Sequence, residues 1–274
     1  SLLTCQDAVF QDNSGNAHAI TVNGNAKASV NIPFNIFTYG VEQYLDDAYT
    51  VSLQGGSGYF DASGDYLSAP SSSDFAVGTG DFTIEFWIYI KAHRNYTVYF
   101  DQRTTNSLNV PYIYSDSGGL LRYYVGGSER ITSSNVLPTN TWSHVAISRS
   151  GTSTKLFMNG VQEGSTWSDS TNYVQGGQYR IANHWSDTSL YVDGYVSDFR
   201  FVKGTSLYTS AFTPPTAPLT PTIGTSLLTN FTNASIYDAT GKNVLETVGN
   251  AQVDTTTVKY GTGALAFDGS GDYL

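Results

Sequence analysis

The sequence holds a single cysteine, Cys5, which excludes an internal disulfide and any zinc site built from cysteines. Basic residues are few. Thirteen Lys and Arg stand against 23 Asp and Glu, a net charge of −10. Nucleic-acid binding needs clustered cations to displace counterions, and an anionic membrane surface needs them too; both are disfavoured. Glu is scarce, with Glu42, Glu85, Glu129, Glu163 and Glu246 the whole supply. Long amphipathic helices draw on Ala, Leu, Glu and Lys, so helix is not expected. No apolar run approaches the ~18 residues of a membrane-spanning helix, so no membrane insertion is expected. No signal peptide is visible and the chain begins at Ser1 rather than Met, so a processed or cloned start is expected. A nucleophile elbow of the Gly-x-Ser-x-Gly type and a phosphate loop are absent. His18, His93, His144 and His184 are scattered, without metal-ligand spacing.

What is present is Gly (27), Tyr (20) and Phe (14), a composition of strands and turns. It is also a repeat. Phe60-Asp61-Ala62-Ser63-Gly64-Asp65-Tyr66-Leu67 returns as Phe267-Asp268-Gly269-Ser270-Gly271-Asp272-Tyr273-Leu274. Ser1-Leu2-Leu3-Thr4 returns as Ser226-Leu227-Leu228-Thr229, Asp12-Asn13-Ser14-Gly15 answers Asp238-Ala239-Thr240-Gly241, and Gly24-Asn25-Ala26 answers Gly249-Asn250-Ala251. A long-period repeat decides where domains begin. The first copy is longer between its anchors, which places an insertion at about 33–54. Within the octapeptide, β-formers flank Ala62-Ser63-Gly64. A three-residue hairpin loop is expected, with Gly64 left-handed and Asp61 and Asp65 bonding loop N–H groups. The alternative is that these aspartates help hold Ca²⁺, which collects carboxylate and carbonyl oxygens.

Phe82–Ile90 is the clearest strand. Phe82, Ile84, Phe86, Ile88 and Ile90 alternate with Thr83, Glu85, Trp87 and Tyr89, so the first set should face a core. Further strands are expected at Thr97–Gln102, Tyr112–Ser115, Leu120–Val125, His144–Arg149, Lys155–Met158, Tyr179–Asn183 and Gly194–Val202. Asn159-Gly160 between apolar runs signals a hairpin. Thr213-Pro214-Pro215-Thr216-Ala217-Pro218-Leu219-Thr220-Pro221 should run extended and reads as a linker.

Several motifs come in a recognisable order. They are the opening Leu-Leu-Thr strand, Phe60–Leu67, Gly80-Asp81-Phe82-Thr83-Ile84-Glu85-Phe86-Trp87-Ile88-Tyr89, Thr141-Trp142-Ser143-His144-Val145-Ala146-Ile147-Ser148-Arg149, Leu156-Phe157-Met158-Asn159-Gly160-Val161 and Gly194-Tyr195-Val196-Ser197-Asp198-Phe199-Arg200. Over residues 1–212 this order resembles the concanavalin A-like, laminin G-like jelly-roll superfamily. The ending Phe199–Thr205, Tyr208-Thr209 and Phe212–Thr216 resembles laminin G-like repeats of tailed-phage structural proteins, notably marine ones, and of large bacterial repeat proteins. The family usually has an acidic residue where Ser197 stands, which weakens any ion role at Ser197-Asp198. The resemblance implies an all-β, two-sheet antiparallel jelly-roll sandwich. On that division residues 1–212 form the sandwich, 213–225 a Pro/Thr-rich linker, and 226–274 the opening strands of a second, incomplete repeat.

The superfamily includes glycoside hydrolases, which need two carboxylates flanking the bond. The Glu-x-Asp-x-Glu strand of its laminarinase-like branch is absent, and Glu85 stands alone, so no enzyme is expected. Candidate carbohydrate-binding residues are Trp87, Tyr89, Trp167, Asn183, Trp185, Asp187 and Tyr191, as stacking rings and planar hydrogen-bonding groups. Asp61, Asp65, Asp187 and Asp193 are the candidate Ca²⁺ ligands. Trp87 and Tyr89 equally suit a subunit contact, where aromatics are enriched. Two functions follow from this reading. One is a structural or adhesion module of a virion (a phage tail fibre, tail-associated or capsid appendage protein), with homo-oligomeric or other virion subunits as partners. The other is a lectin-like, Ca²⁺-assisted module of a bacterial or phage surface adhesin, secreted or on the cell surface, with glycans as partners. A glycoside hydrolase is the remote third.

Overall fold

A computed structural model describes residues 14–24, 26–29, 33, 56–187, 189–230, 252–254 and 264–266. All but Pro33 of the insertion at about 33–54, the Ser1–Thr4 strand and the second octapeptide lie outside these residues. In chain order the strands are β1 (Thr21–Asn23), β2 (Lys27–Ser29), β3 (Ser57–Asp61), β4 (Tyr66–Ala69), β5 (Phe82–Ile90), β6 (Thr97–Asp101), β7 (Tyr112–Ser115), β8 (Leu120–Val125) and β9 (Ser128–Val136). They continue with β10 (Trp142–Ser150), β11 (Ser153–Met158), β12 (Val161–Ser168), β13 (Tyr179–Ile181), β14 (Asp193–Lys203), β15 (Thr225–Thr229), β16 (Gln252–Asp254) and β17 (Ala264–Ala266). One sheet has the order β1-β4-β13-β6-β7-β8-β9. A second has the order β12-β11-β10-β5-β14-β3-β2, with β15 also on β14, and β16 pairs with β17 in a separate two-stranded ladder. Every strand pairing is antiparallel. This is the expected all-β, two-sheet antiparallel jelly-roll sandwich.

The alternation in β5 sets the core. Phe82, Ile84, Phe86, Ile88 and Ile90 are all buried, and they meet Phe100, Tyr99, Ile113, Leu121 and Tyr123 of the facing sheet in one cluster. The rings of Phe86 and Phe199 stack at 5.6 Å, and Phe100 lies 4.6 Å from Tyr179. Each such side chain contributes roughly 1.5–3 kcal/mol by leaving water.

The octapeptide does not form the expected hairpin. Strand β3 pairs with β14 and β2 in one sheet, and β4 pairs with β1 and β13 in the other. The Asp61–Asp65 segment is therefore a corner at which the chain changes sheets. The local chemistry is as expected: Ser63 N–H donates to Asp61 Oδ1 (2.8 Å), Asp61 N–H donates to Asp65 Oδ2 (3.0 Å), and Gly64 has φ +84°. The loop can make those bonds without its flanks pairing, because the apolar faces of β3 and β4 are each buried by a different sheet. Gly24, itself part of the repeat, closes on this corner. A Cβ there would lie 2.4 Å from Asp65 Oδ1 and 2.6 Å from Gly64 O.

Asn159 (φ +50°) and Gly160 (φ +78°) make the expected hairpin turn between β11 and β12. Strand β9, Ser128-Glu129-Arg130-Ile131-Thr132-Ser133-Ser134-Asn135-Val136, has no expectation behind it. It is the edge of its sheet, where polar side chains and charges guard an open ladder, so hydrophobic alternation is weak.

The outer face of the β5 sheet is not simply solvent-facing. Thr83 and Glu85 are buried because residues 205–222, the Pro/Thr-rich stretch included, run back over them as a strap. Leu207 N–H donates to Thr83 Oγ1 (2.8 Å) and Phe212 N–H to Gly160 O (3.0 Å). Further along, Leu219 N–H donates to Asp198 Oδ1 (2.6 Å) and Arg200 Nη1 to Thr220 O (2.8 Å). The Tyr208 and Phe212 rings stack at 3.6 Å and cover His144.

Candidate functional site: an aromatic row on the outer face of the sheet

Among the described residues the strap lies over one half of that outer face. On the other half, strand register brings four rings into one line. Tyr59 of β3 pairs with Tyr195 of β14, Tyr195 with Tyr89 of β5, and Tyr89 with Trp142 of β10. All four are half-buried, and neighbouring ring planes are inclined by 40° (Tyr59–Tyr195), 83° (Tyr89–Tyr195) and 64° (Tyr89–Trp142). Neighbouring centroids are 5.0 Å (Tyr59–Tyr195), 5.6 Å (Tyr89–Tyr195) and 5.9 Å (Tyr89–Trp142) apart. Three interstrand steps of about 4.8 Å give the row a length of about 14 Å. Lys91, two residues beyond Tyr89 on the same face, donates from Nζ to the Tyr59 hydroxyl (2.8 Å) and lies 4.3 Å from that ring's centroid. Partial burial works against its charge, but the Tyr59 bond and the ring oxygens outweigh that, and its pKa is raised. The ammonium is a fixed cation at one end of the row. Gly194 makes the row possible on β14: a Cβ there would lie 1.9 Å from Tyr89 O.

The expected glycan residues are divided among several places. Trp87 and Tyr89 point outward from β5 as their phase requires. Tyr89 joins the row, and Trp87 stands beside it with its ring edge-on to His144 at 5.2 Å. Trp167 of β12 packs on the core near Tyr123, under the Arg130 guanidinium (5.0 Å). Tyr191 is buried.

Asn183, Trp185 and Asp187 belong to the loop after β13, beside the opposite sheet. There Asp101 and Arg103 form a buried two-pronged ion pair (2.9 Å each), and Arg103 lies 3.5 Å over the Tyr112 ring. Tyr112 stacks on Tyr114 at 4.6 Å, and Trp185 N–H donates to Asp101 Oδ2 (3.2 Å). The Tyr112 and Tyr114 rings are buried, so this cluster fastens the loop and offers a ligand less ring surface than the row does. Tyr59, Trp142, Tyr195 and Lys91 were not expected at a site. Only the register aligns them, although the outward phase of Tyr89 was a partial signal.

The four aspartates do not converge. Asp61 and Asp193 are register partners, but Asp193 lies 3.9 Å from the Arg94 guanidinium. Asp65 is buried and serves the Asp61 N–H, while Asp187 accepts from Ser189 in an exposed loop. Among the described residues no three His, Cys, Asp or Glu side chains gather. A Ca²⁺ shell takes six to eight oxygens, and this donor set does not fit one.

Glu85 is enclosed. Its carboxylate accepts from Arg200 Nε (2.9 Å) and Nη2 (2.5 Å), from Tyr208 Oη (2.8 Å), and meets His144 Nε2 at 3.1 Å. Burial pushes its pKa up, but the His144 bond and the Arg200 charge outweigh that and hold it below the usual carboxylate range. Asp198, next to a bulge in β14, is pushed up to about 7 by burial, against the Leu219 and Ser197 hydrogen bonds. Both carboxyls are buried. Neither is placed to flank a glycosidic bond.

The antiparallel jelly-roll sandwich agrees with the family comparison. The model described as the concanavalin A-like lectin/glucanases superfamily matches residues 61–207, and the chain belongs to that superfamily. No curated protein matches the sequence. Among solved structures, the binding domain of botulinum neurotoxin serotype D/C superposes with TM-score 0.52 at 17% identity, covering 76% of this chain and 49% of that one. The serotype D binding domain gives 0.49 at 15%, with 76% and 49% covered. Domain 4 of AbnA, an extracellular GH43 arabinanase from Geobacillus stearothermophilus, in complex with arabinotriose, gives 0.45 at 15%, with 75% and 94% covered. The chain thus spans about half the length of the neurotoxin domains it matches. At these identities the likeness is one of fold.

Proposed function

We propose that the protein is a non-enzymatic carbohydrate-binding module whose ligand is an extended glycan laid along Tyr59, Tyr195, Tyr89 and Trp142. The observation that carries this reading is the alignment of four half-exposed rings in one register row. Rings fixed by a sheet offer contact area at little entropic cost, and their centroids, 5.0 to 5.9 Å apart, form one continuous row across four strands. Lys91 supplies a donor at one end. The superfamily's description, which names lectins and glucanases, agrees with a sugar ligand, and the burial of Glu85 and Asp198 favours binding over cleavage.

The test is a glycan array probed with the full chain, in Ca²⁺ and in EDTA. A reproducible hit that is lost in Tyr195→Ala and Trp142→Ala variants of unchanged thermal stability supports the reading. A hit that survives both substitutions refutes it, as does release of reducing ends from the bound glycan. Loss of binding in EDTA alone would return Ca²⁺ to the account.

A second reading rests on the sequence repeat. A module of this kind, repeated in a longer chain, builds reach and avidity, as in a structural or adhesion component of a virion such as a tail fibre or capsid appendage. This reading predicts self-association of the chain and a blank array.

A further inference from the structure

We propose that the β14 edge at Phe199–Val202 is a strand-acceptor slot for which Ser1–Thr4 competes with Ser226–Thr229. The slot is filled by β15, in the register Phe199↔Thr229, Arg200↔Leu228, Phe201↔Leu227 and Val202↔Thr225. Every residue from Thr225 to Asn230 is buried, and Leu227 belongs to the main core. Ser226 is recognised individually. Its Oγ donates to Asp74 O (2.8 Å), and its carbonyl accepts from Ser14 Oγ (3.1 Å) and Asn16 Nδ2 (3.4 Å). The slot therefore reads a backbone ladder, a serine and two leucines.

Ser1-Leu2-Leu3-Thr4 carries the same four residues in the same order. Ser14, which touches the bound Ser226, belongs to the first copy of the repeat. The slot is thus built by one copy and filled by the strand that opens the next. Nine residues, 5–13, separate Thr4 from Ser14, and at about 3.3 Å each they span up to about 30 Å. Ser1–Thr4 is tethered within reach of the slot, at the millimolar effective concentration of a short linker.

One slot then serves two tethered strands of equal sequence. Whichever strand is left out is a donor for the equivalent edge of another copy, by the strand addition that exposed sheet edges invite. Opening strands that are interchangeable between copies would let successive repeats lock to one another without a separate interface.

The test uses three full-length variants: Leu2→Asp with Leu3→Asp, Leu227→Asp with Leu228→Asp, and all four together. Thermal unfolding should drop by only a few degrees in each pair and by much more than the sum in the quadruple variant. Hydrogen exchange gives a readout that does not depend on the quadruple variant folding. In the Leu227/Leu228 variant those amides of Phe199–Val202 that face the slot rather than β5 should stay protected, because Ser1–Thr4 takes the slot. Loss of that protection, or a Leu227/Leu228 variant already as unstable as the quadruple one, overturns the proposal.

Discussion

Replacing Arg200 by Met should destabilise the protein by about 3–5 kcal/mol at neutral pH, the usual cost of removing one partner from a buried ion pair. Glu85 has no solvent exposure, and both its oxygens are engaged. Met fills similar space but leaves the carboxylate with only His144 and Tyr208, and it also frees the strap carbonyl of Thr220. The pH dependence identifies the cause. In the native protein the pKa of Glu85 is lowered, so its contribution is present above the unfolded value of about 4.3 and is lost as pH falls through the folded value. Without Arg200, burial dominates and the folded pKa rises above the unfolded one. Stability should then fall, not rise, as pH climbs from about 4 to 7. Urea unfolding followed by tryptophan fluorescence at pH 4.5 and pH 8 reads both effects. At a slope of up to about 3 kcal/mol per M, the midpoint at pH 8 should move by about 1 M or more. Adding Glu85→Gln should recover much of the loss. A cost under 1 kcal/mol, or an unchanged sign of the pH slope, would refute the view of Glu85 as a buried charge held by Arg200.

Asp198, pushed up to about 7 in the fold, acts with the opposite sign: it removes stability as pH rises from about 4 to 7, by up to about 4 kcal/mol for a shift of some three units. Asp198→Asn should therefore raise the unfolding midpoint at pH 8 more than at pH 4, and equal shifts at the two pH values would contradict this. Gly24→Ala must place a Cβ 2.4 Å from Asp65 Oδ1 at φ +71°; a loss of more than about 1 kcal/mol is expected, and a neutral result in thermal unfolding would mean that the corner is looser than its geometry. Phe212→Ala removes the ring stacked on Tyr208 and packed edge-on to His144 and Phe157. It should destabilise by about 2–4 kcal/mol and speed exchange of the Leu207 and Leu219 amides, and unchanged exchange would show that the strap is held by its backbone bonds alone.

The sequence by itself determined the fold class and the core. Period-two patterns such as Phe82–Ile90 choose a buried face from the alternation of side chains alone, a property of the local chain. Asn159-Gly160 fixed its turn for the same reason, because the φ > 0 requirement belongs to those two residues. Where edge strands carry polar residues, as β9 does, that local signal fades. What the sequence did not carry was which strands lie side by side. The octapeptide's Asp61 and Asp65 make their expected bonds, yet the flanking strands enter different sheets, because partner choice depends on burying distant apolar faces. The row of Tyr59, Tyr195, Tyr89 and Trp142 draws one residue from each of four strands spread over more than half the chain. Outward phase marks Tyr89 alone, and only register places the other three beside it. The enclosure of Glu85 likewise needs a strap that returns from residues 205–222. Alternation is decided residue by residue along the chain, whereas adjacency is decided by the packing of the whole sandwich, and the candidate site is a matter of adjacency.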